Sequence, residues 1–360
     1  MNPRPRLVAY THMRDDPAAR FRVRQFIPRF EAAGWSVSHR PCRPERPWQS
    51  PYANPPVRWI HRRLGVAARR LRRWRDIRDA AAYDVALVNR DLLEGRTVYE
   101  EALLRHNPRV IFDFDDAIHL GAKEAHVAWV CERAAWVTAG NELLAGVARR
   151  YTDRVSVLPT VVDTDAYPPP AERTRGGPLR VGWLGSDLSI RETLFPFASV
   201  LAELQADLGF ELVVVTKPRR EMPAPRLRWR HVEWSPEAET RIARAFDVGI
   251  MPLADDEFQR GKCGCKLLQY MAAGLPVVAS PVGVNTRIVG PDRGFLARDA
   301  AEWGESLARL RDPALRRELG AAGRRYVERE YSVNAWFPRL LDVVEGVRDG
   351  ARPASFDMRA

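Results

Sequence analysis

Cysteine is scarce in this 360-residue chain, with only Cys42, Cys131, Cys263 and Cys265. Four such scattered residues make no disulfide framework, and no two stand in the Cys-x-x-Cys spacing of a zinc site. A reducing, cytoplasmic setting is expected, and no metal site. Lysine is scarcer in proportion: Lys123, Lys217, Lys262 and Lys266 are the only lysines among 57 basic residues. Where arginine is the default, a lysine persists by chance or where a compact charge cannot be replaced. Two of the four stand in one pentapeptide. A long uninterrupted apolar run is also missing. Residues 267–285 carry no charge, but Gly274, Pro276, Pro281 and Gly283 break them into an expected helix, turn, strand and turn. The basic N-terminus leads through residues 7–10 directly into polar sequence, without the apolar core of a signal peptide, so secretion is not expected.

What is present reads as a folded chain of about two domains, 46% hydrophobic and 29% charged. The net charge of +11 is concentrated: residues 57–78 hold nine arginines and one aspartate, or +8 of it. Ile60, Leu64, Ala67, Leu71, Trp74 and Ile77 recur there at helical spacing among the arginines. Such a basic amphipathic helix suits an anionic membrane surface, while a stripe packed on the domain with arginines turned to solvent is the alternative. No nucleic-acid motif accompanies the patch, and nucleic acid is not an expected partner.

Strands are predicted at 7–10, 36–39, 85–89 and 109–112, with an amphipathic helix around Phe21, Ile27 and Phe30 and a proline-rich loop at 41–56. Proline and glycine density between 157 and 178 marks a linker. Beyond it strands recur at 179–184, 212–216, 248–251 and 276–279, with helices at 190–205, 300–311, 313–330 and 334–346. The alternation predicts parallel sheets built from βαβ units, which bind ligands at the carboxyl ends of their strands.

The densest chemistry lies in 246–280. A strand runs into a charged loop, then Gly261, Lys262, Cys263, Gly264, Cys265 and Lys266 open a helix that Gly274 and Pro276 close. Backbone N–H groups at such a helix start can hold an anion, and the two lysines add compact charge, which implies a phosphate ligand. Spacing alone is equally compatible with a tight loop bearing two solvated lysines.

Residues 267–280, LLQYMAAGLPVVAS, resemble the donor-site signature of the group 1 glycosyltransferases of GT-B fold. Residues 158–165, LPTVVDTD, are similar to that family's interdomain linker, and 181–186, VGWLGS, to the first strand and loop of its C-terminal domain. The resemblance implies an α/β GT-B fold of two facing Rossmann-like domains with a central cleft. It implies an acceptor-side domain over 1–160, a linker at 161–178, a nucleotide-sugar-binding domain over 179–333 and a returning helix and tail at 334–360. It further implies transfer of a sugar, with retention of configuration, from a nucleotide-diphosphate sugar to a glycan, lipid-linked or small-molecule acceptor, without cofactor or metal. Two departures stand out. Gly261 and Gln269 occupy the positions of a glutamate pair, and Ser186 and Glu192 those of a diphosphate-binding arginine and lysine. Asp255, Asp256 or Glu257 could replace the lost acid, and Arg191, Lys217 or Lys262 the lost positive charge. The expected donor-binding residues are thus Gly185, Ser186, Arg191, Lys217, Gly261, Lys262, Cys263, Gly264, Lys266 and Gln269, with Lys262 also catalytic.

In the first domain the strand ending at Phe112 runs into Asp113, Asp115, Asp116 and His119. Clustered carboxylates suit acceptor binding, a general base or a divalent metal, and the resemblance favours the first two. Asp116 and His119 are the expected catalytic pair, and Arg20, Arg22, Asp113 and Asp115 the acceptor-side residues. Helix capping by Asp113 and Asp116, a surface His119 and a solvated arginine face remain the structural alternatives. A sugar-nucleotide-binding protein without turnover and an epimerase of similar fold are the other functional readings. A cytoplasmic protein, peripheral at the inner membrane face, is the expected location.

Overall fold

The computed structural model describes residues 4–43, 54–93, 97–168, 177–353 and 356, so the centre of the proline-rich loop (44–53) and much of the expected linker (169–176) lie outside the described residues. The chain divides into two compact units, Met1–Thr160 with Trp336–Ala360, and Val161–Ala335. The first unit holds β1 (Arg6–Thr11), β2 (Ser36–Pro41), β3 (Val85–Asn89), β4 (Val110–Phe114), β5 (Trp136–Ala139) and β6 (Val155–Val157), in the order β2-β1-β3-β4-β5-β6. Every pairing is parallel. The second holds β7 (Arg180–Leu184), β8 (Glu211–Thr216), β9 (Trp229–Glu233), β10 (Val248–Met251), β11 (Val277–Ala279) and β12 (Gly294–Leu296), ordered β12-β11-β10-β7-β8-β9 and again wholly parallel.

Parallel strands covered on both faces bury every residue, which is why VALVN, VIFDF and VGIM are nearly continuous apolar runs. The helical expectation at Phe21 to Phe30 is corrected in form. A π-helical turn Ala19–Val23 and a 3-10 turn Arg24–Phe26 precede an α-helix Ile27–Ala32, because Pro28 has no N–H to continue an earlier ladder. The helix expected at 190–205 likewise begins as a π-helical turn, Ile190–Leu194, and becomes α-helical at Phe195–Leu208 with Pro196 in its first turn. The helix Val333–Asp349 carries the chain from the second unit into the first, where Phe337 packs on Phe26 and Phe30 and Arg348 lies over Trp35.

The basic segment is a single helix, Pro55–Arg78, tied down at its C-terminal end. Arg73 is fully buried and donates to the carbonyls of Thr11 (3.0 Å), Arg40 (3.1 Å) and Leu92 (3.0 Å), at the ends of β1 and β2 and just past β3. One guanidinium thereby satisfies three strand-end acceptors that lie out of reach of water. Nearby, buried Glu100 accepts from the Leu92 N–H at 2.8 Å and lies 3.8 Å from His126 Nε2. Burial pushes the Glu100 carboxyl up to about 7 from 4.5, and burial holds the His126 imidazole below its usual value of 6.5.

An acid whose pKa rises on folding favours the folded state below its unfolded pKa and loses that advantage as pH rises toward the folded one. Glu100→Gln should therefore change little at pH 4.5 and stabilise the protein by roughly 2–3 kcal/mol above pH 7.5, read from urea unfolding at a series of pH values. A difference from wild type that does not vary with pH would show that folding leaves the Glu100 carboxyl unshifted.

Candidate functional site

In the second unit, β7 is the first strand and its sheet grows from it in both directions, toward β8 on one side and β10 on the other. Connections leaving β7 and β10 part at the carboxyl edge, and the crevice between them is where open α/β sheets take ligands. Gly185 follows β7, its N–H bonded to the Val215 carbonyl at 3.1 Å. A Cβ at Gly185 would meet the Trp183 ring and approach Lys266 Cε to 3.0 Å, so the lysine can cross here only over glycine. Ser186 caps the following helix, its Oγ accepting from the Ser189 N–H. On the other side Gly264, at φ 68°, turns the chain into the helix Cys265–Ala272, and a Cβ there would strike Ile288.

The two lysines cross this fork. Lys266 Nζ donates to Ser189 Oγ at 2.8 Å and stands 5.3 Å from the centre of the Trp183 ring. Lys262 Nζ lies 3.7 Å from Glu192 Oε2 and 4.6 Å from the Phe258 ring, with its side chain 14% exposed. Ser189 and Glu192 are one helical turn apart, so the structure brings Gly185, Ser186, Lys262, Gly264 and Lys266 to one place. Two compact cations thus lie near two helix starts, the chemistry that suits a phosphate. Glu192, where the family resemblance led us to note a missing lysine, instead places a carboxylate against Lys262.

Other expected donor residues are arranged differently. Arg191 is exposed and pairs at 3.7 Å with Asp187, which Arg220 also holds. Lys217, at the end of β8, is exposed and 3.4 Å from Glu233. Cys263 is buried with its Sγ 3.9 Å from the Gly261 carbonyl, and Gly261 is part of the turn below it. Gln269 is buried, and its Nε2 donates to the Tyr167 hydroxyl at 3.1 Å while its Oε1 lies 3.7 Å from Cys265 Sγ. Of the acids considered as replacements, Asp255 is bound by Arg260 and Asp256 caps the Glu257–Arg260 helix by accepting from the Gln259 N–H. Tyr167 is a site neighbour that sequence reasoning passed over, since nothing in the linker pattern distinguishes it. Arg324 holds that segment in place through the carbonyls of Thr164, Tyr167 and Ala272.

The first unit also extends from its first strand in both directions, with β1 flanked by β2 and β3, although only β2 lies on one side of it and β3 to β6 on the other. Here the structure moves two expected acceptor-side residues beneath the surface. Asp113 is 1% exposed and accepts from Arg22 Nε (3.1 Å), Arg22 Nη2, Asn89 Nδ2 (2.8 Å) and Thr138 Oγ1 (2.7 Å). Arg22, also 1% exposed, donates from Nη1 to the Leu158 carbonyl at 2.6 Å. A carboxylate with so many donors is committed to positioning, because exchanging any of them for substrate would strand a buried charge. His119 is also buried rather than a surface residue, and Arg20 is half-buried with its guanidinium over Phe21.

Asp115 and Asp116 converge instead on Arg90, which donates from Nε to Asp115 (2.9 Å) and from Nη2 to Asp116 (2.6 Å). Burial would raise the Asp115 carboxyl, but Arg90 and then Arg22 outweigh it and hold the pKa below the usual range. Arg90 has φ 68°, the only non-glycine residue in the left-handed region among those described, and such a backbone costs about 1–2 kcal/mol. That strain aims the guanidinium at the two carboxylates, and no sequence signal separates Arg90 from the other arginines. Asp91 follows, bound to Lys123 at 2.7 Å and 3.9 Å from His12 Nδ1. The edge of this sheet thus offers partly exposed Asp116 above a fixed ionic floor.

Two wholly parallel sheets in successive units define a two-domain α/β protein of GT-B fold. Two solved structures share it at low identity: sucrose-phosphate synthase from Thermosynechococcus elongatus (TM-score 0.71, 19% identity, covering 97% of this chain and 100% of that one) and Anabaena HepE in complex with UDP and glucose (TM-score 0.66, 11% identity, 95% and 100%). Residues 180–312 match the family described as Glycosyl transferases group 1, and the second unit is a domain of that family. A D-inositol 3-phosphate glycosyltransferase from Thermomonospora curvata is 33% identical over 152 residues, which make up 41% of this chain. The match spans 31% of that relative's length.

Two substitutions probe these assignments. Glu192→Gln should release Lys262 and raise affinity for a nucleoside diphosphate about two- to fivefold by calorimetry, the scale of a partly exposed ion pair. Unchanged or weaker binding would place the pair outside the anion site. Asp113→Ala, by leaving Arg22 buried and uncompensated, should cost about 3–5 kcal/mol in urea unfolding, against less than about 1 kcal/mol for Asp116→Asn. Equal small losses would show that Asp113 is not the structural member of the cluster.

Proposed function

We propose that the protein is a glycosyltransferase that moves a sugar from a nucleotide-diphosphate sugar to an acceptor hydroxyl. The observation that carries the reading is the meeting of Lys262 and Lys266 with two helix starts at the β7–β10 fork, inside the segment that matches the group 1 family. There the lysine charges and helix N-termini would hold the diphosphate, and they would gain most from the negative charge that develops as it leaves. The acceptor oxygen bonds to the anomeric carbon, the carbon–phosphate-oxygen bond breaks with its electron pair going to the nucleoside diphosphate, and the acceptor proton is taken up by a base. Asp116 is the partly exposed carboxylate of the β4 cluster and the residue we assign to that hydroxyl, with Arg90 holding it in place at 2.6 Å. Retention of configuration is part of the proposal and is read from the anomer of the product.

Gln269 favours a second reading. Its amide nitrogen is engaged by Tyr167, and no acid stands at 261 or 269, as suits a protein that binds a sugar nucleotide without turning it over. A thermal-shift screen over nucleotide-sugars identifies the donor, since a ligand of the folded state raises its melting temperature by mass action. Release of nucleoside diphosphate from that donor, in the presence of cell-envelope lipid and glycan extract, then separates the two readings. Transfer that falls about tenfold to a hundredfold in Lys262→Ala supports the enzyme, whereas a loss of donor affinity alone is expected of both readings. Stabilisation by donor with no release under any acceptor supports the binding protein.

A further inference from the structure

The Pro55–Arg78 helix turns its apolar stripe away from the body of its own domain. Its buried residues are Gly65, Arg73, Asp76 and Ile77. At about 100° per residue, Val57, Ile60, Leu64, Leu71 and Trp74 centre roughly 170° from them round the helix. All five are exposed, Leu64 at 62% and Leu71 at 54%, and Trp59 beside them at 57%. Periodicity of this kind normally marks the face that packs on the core. Here the packed face is held by Arg73, Asp76 and Ile77, and the apolar face stays exposed along its length, meeting the unit where the Trp74 ring lies 5.2 Å from that of Tyr99.

The charge around that stripe is of one sign. Arg58, Arg62, Arg63, Arg70, Arg72, Arg75 and Arg78 are exposed, and Arg69 is half-buried. Among the described residues only Arg78 of this set is ion-paired, with Asp79 at 3.8 Å, while Asp76, the acid within the helix, is taken by Arg40 and Arg73. Arg63 and Arg70 border the stripe on one side and Arg72 and Arg75 on the other, and the Arg63 guanidinium sits over the Trp59 ring at 4.7 Å. From residue 54 to 64 every residue but His61 is exposed, along the first turns of the helix.

We infer that this helix is a docking surface for an anionic lipid bilayer, lying in the interface with its stripe among the acyl chains and its arginines at the phosphates. Charge complementarity selects this occupant. A second copy of the chain joined through the same face would set arginine against arginine. A nucleic-acid backbone would neutralise the charge but leave the stripe in water. The inference does not rest on the catalytic reading, and its test contains no activity measurement.

The test is co-sedimentation of the full chain with vesicles of phosphatidylcholine alone or with phosphatidylglycerol, over a salt series. Two variants accompany it, Arg62, Arg63, Arg70 and Arg72 all changed to Gln, and Ile60, Leu64 and Leu71 all changed to Ser. These side chains are exposed, so the melting curves of both variants should match wild type. Wild type should pellet with anionic vesicles at 0.1 M salt and not with neutral ones. The charge variant should lose roughly a hundredfold or more in partitioning. The stripe variant should lose at least about tenfold and become fully salt-sensitive. Equal binding to neutral and anionic vesicles, or no binding at low salt, overturns the inference. So does a stripe variant that binds as wild type does, which would make the patch a polyanion site, or a wild-type dimer that the stripe changes dissolve and vesicles do not bind.

Discussion

Each sheet is laid down in both directions from its own first strand, β1 or β7, and the lysine pair and the carboxylate cluster lie at the carboxyl edges of these sheets. Parallel strands present their last carbonyls and the first N–H groups of the following helices at one edge, and a reversal of strand order opens that edge. A group placed there must satisfy buried backbone acceptors or stay free for a ligand. The two demands fall on different residues.

Arginine meets the first demand. Arg22 ties Asp113 to Leu158, Arg73 gathers the carbonyls of Thr11, Arg40 and Leu92, Arg90 joins Asp115 to Asp116, and Arg324 holds Thr164, Tyr167 and Ala272. A planar fork with five donors can bridge several fixed acceptors at once and remains charged when buried. Lysine is placed differently. Lys262 and Lys266 are single compact charges on flexible stems, Lys262 beside Glu192 and the Phe258 ring and Lys266 bonded to Ser189 beside the Trp183 ring. In the proposed reading these two charges meet the diphosphate.

Much of this was legible in the sequence, for identifiable reasons. Apolar strands such as 85–89 and 248–251 announce themselves, whereas β5 and β6 are equally short or shorter and are interrupted by Thr138 or Ser156, which breaks the apolar run. Periodicity located the stripe of the basic helix but not its direction, which depends on which residues the sheet edge requires, and the edge required Arg73. The lysine pair could be found because it was rare. Arg90 and Tyr167 could not, since one depends on a backbone angle and the other on a hydrogen bond across 102 residues of sequence. Asp113 was found but misplaced, because sequence shows a cluster of carboxylates and not which of them faces inward.

The central claim is that the fork between β7 and β10 binds the diphosphate of a sugar nucleotide. Hydrogen exchange of the full chain, with and without the nucleoside diphosphate that most raises its melting temperature, tests this directly. Binding at the fork should slow exchange at 185–194 and 261–269 together, where the two helix starts and both lysines lie. Protection confined to other segments, or a panel in which no nucleoside diphosphate stabilises the protein, would contradict the account.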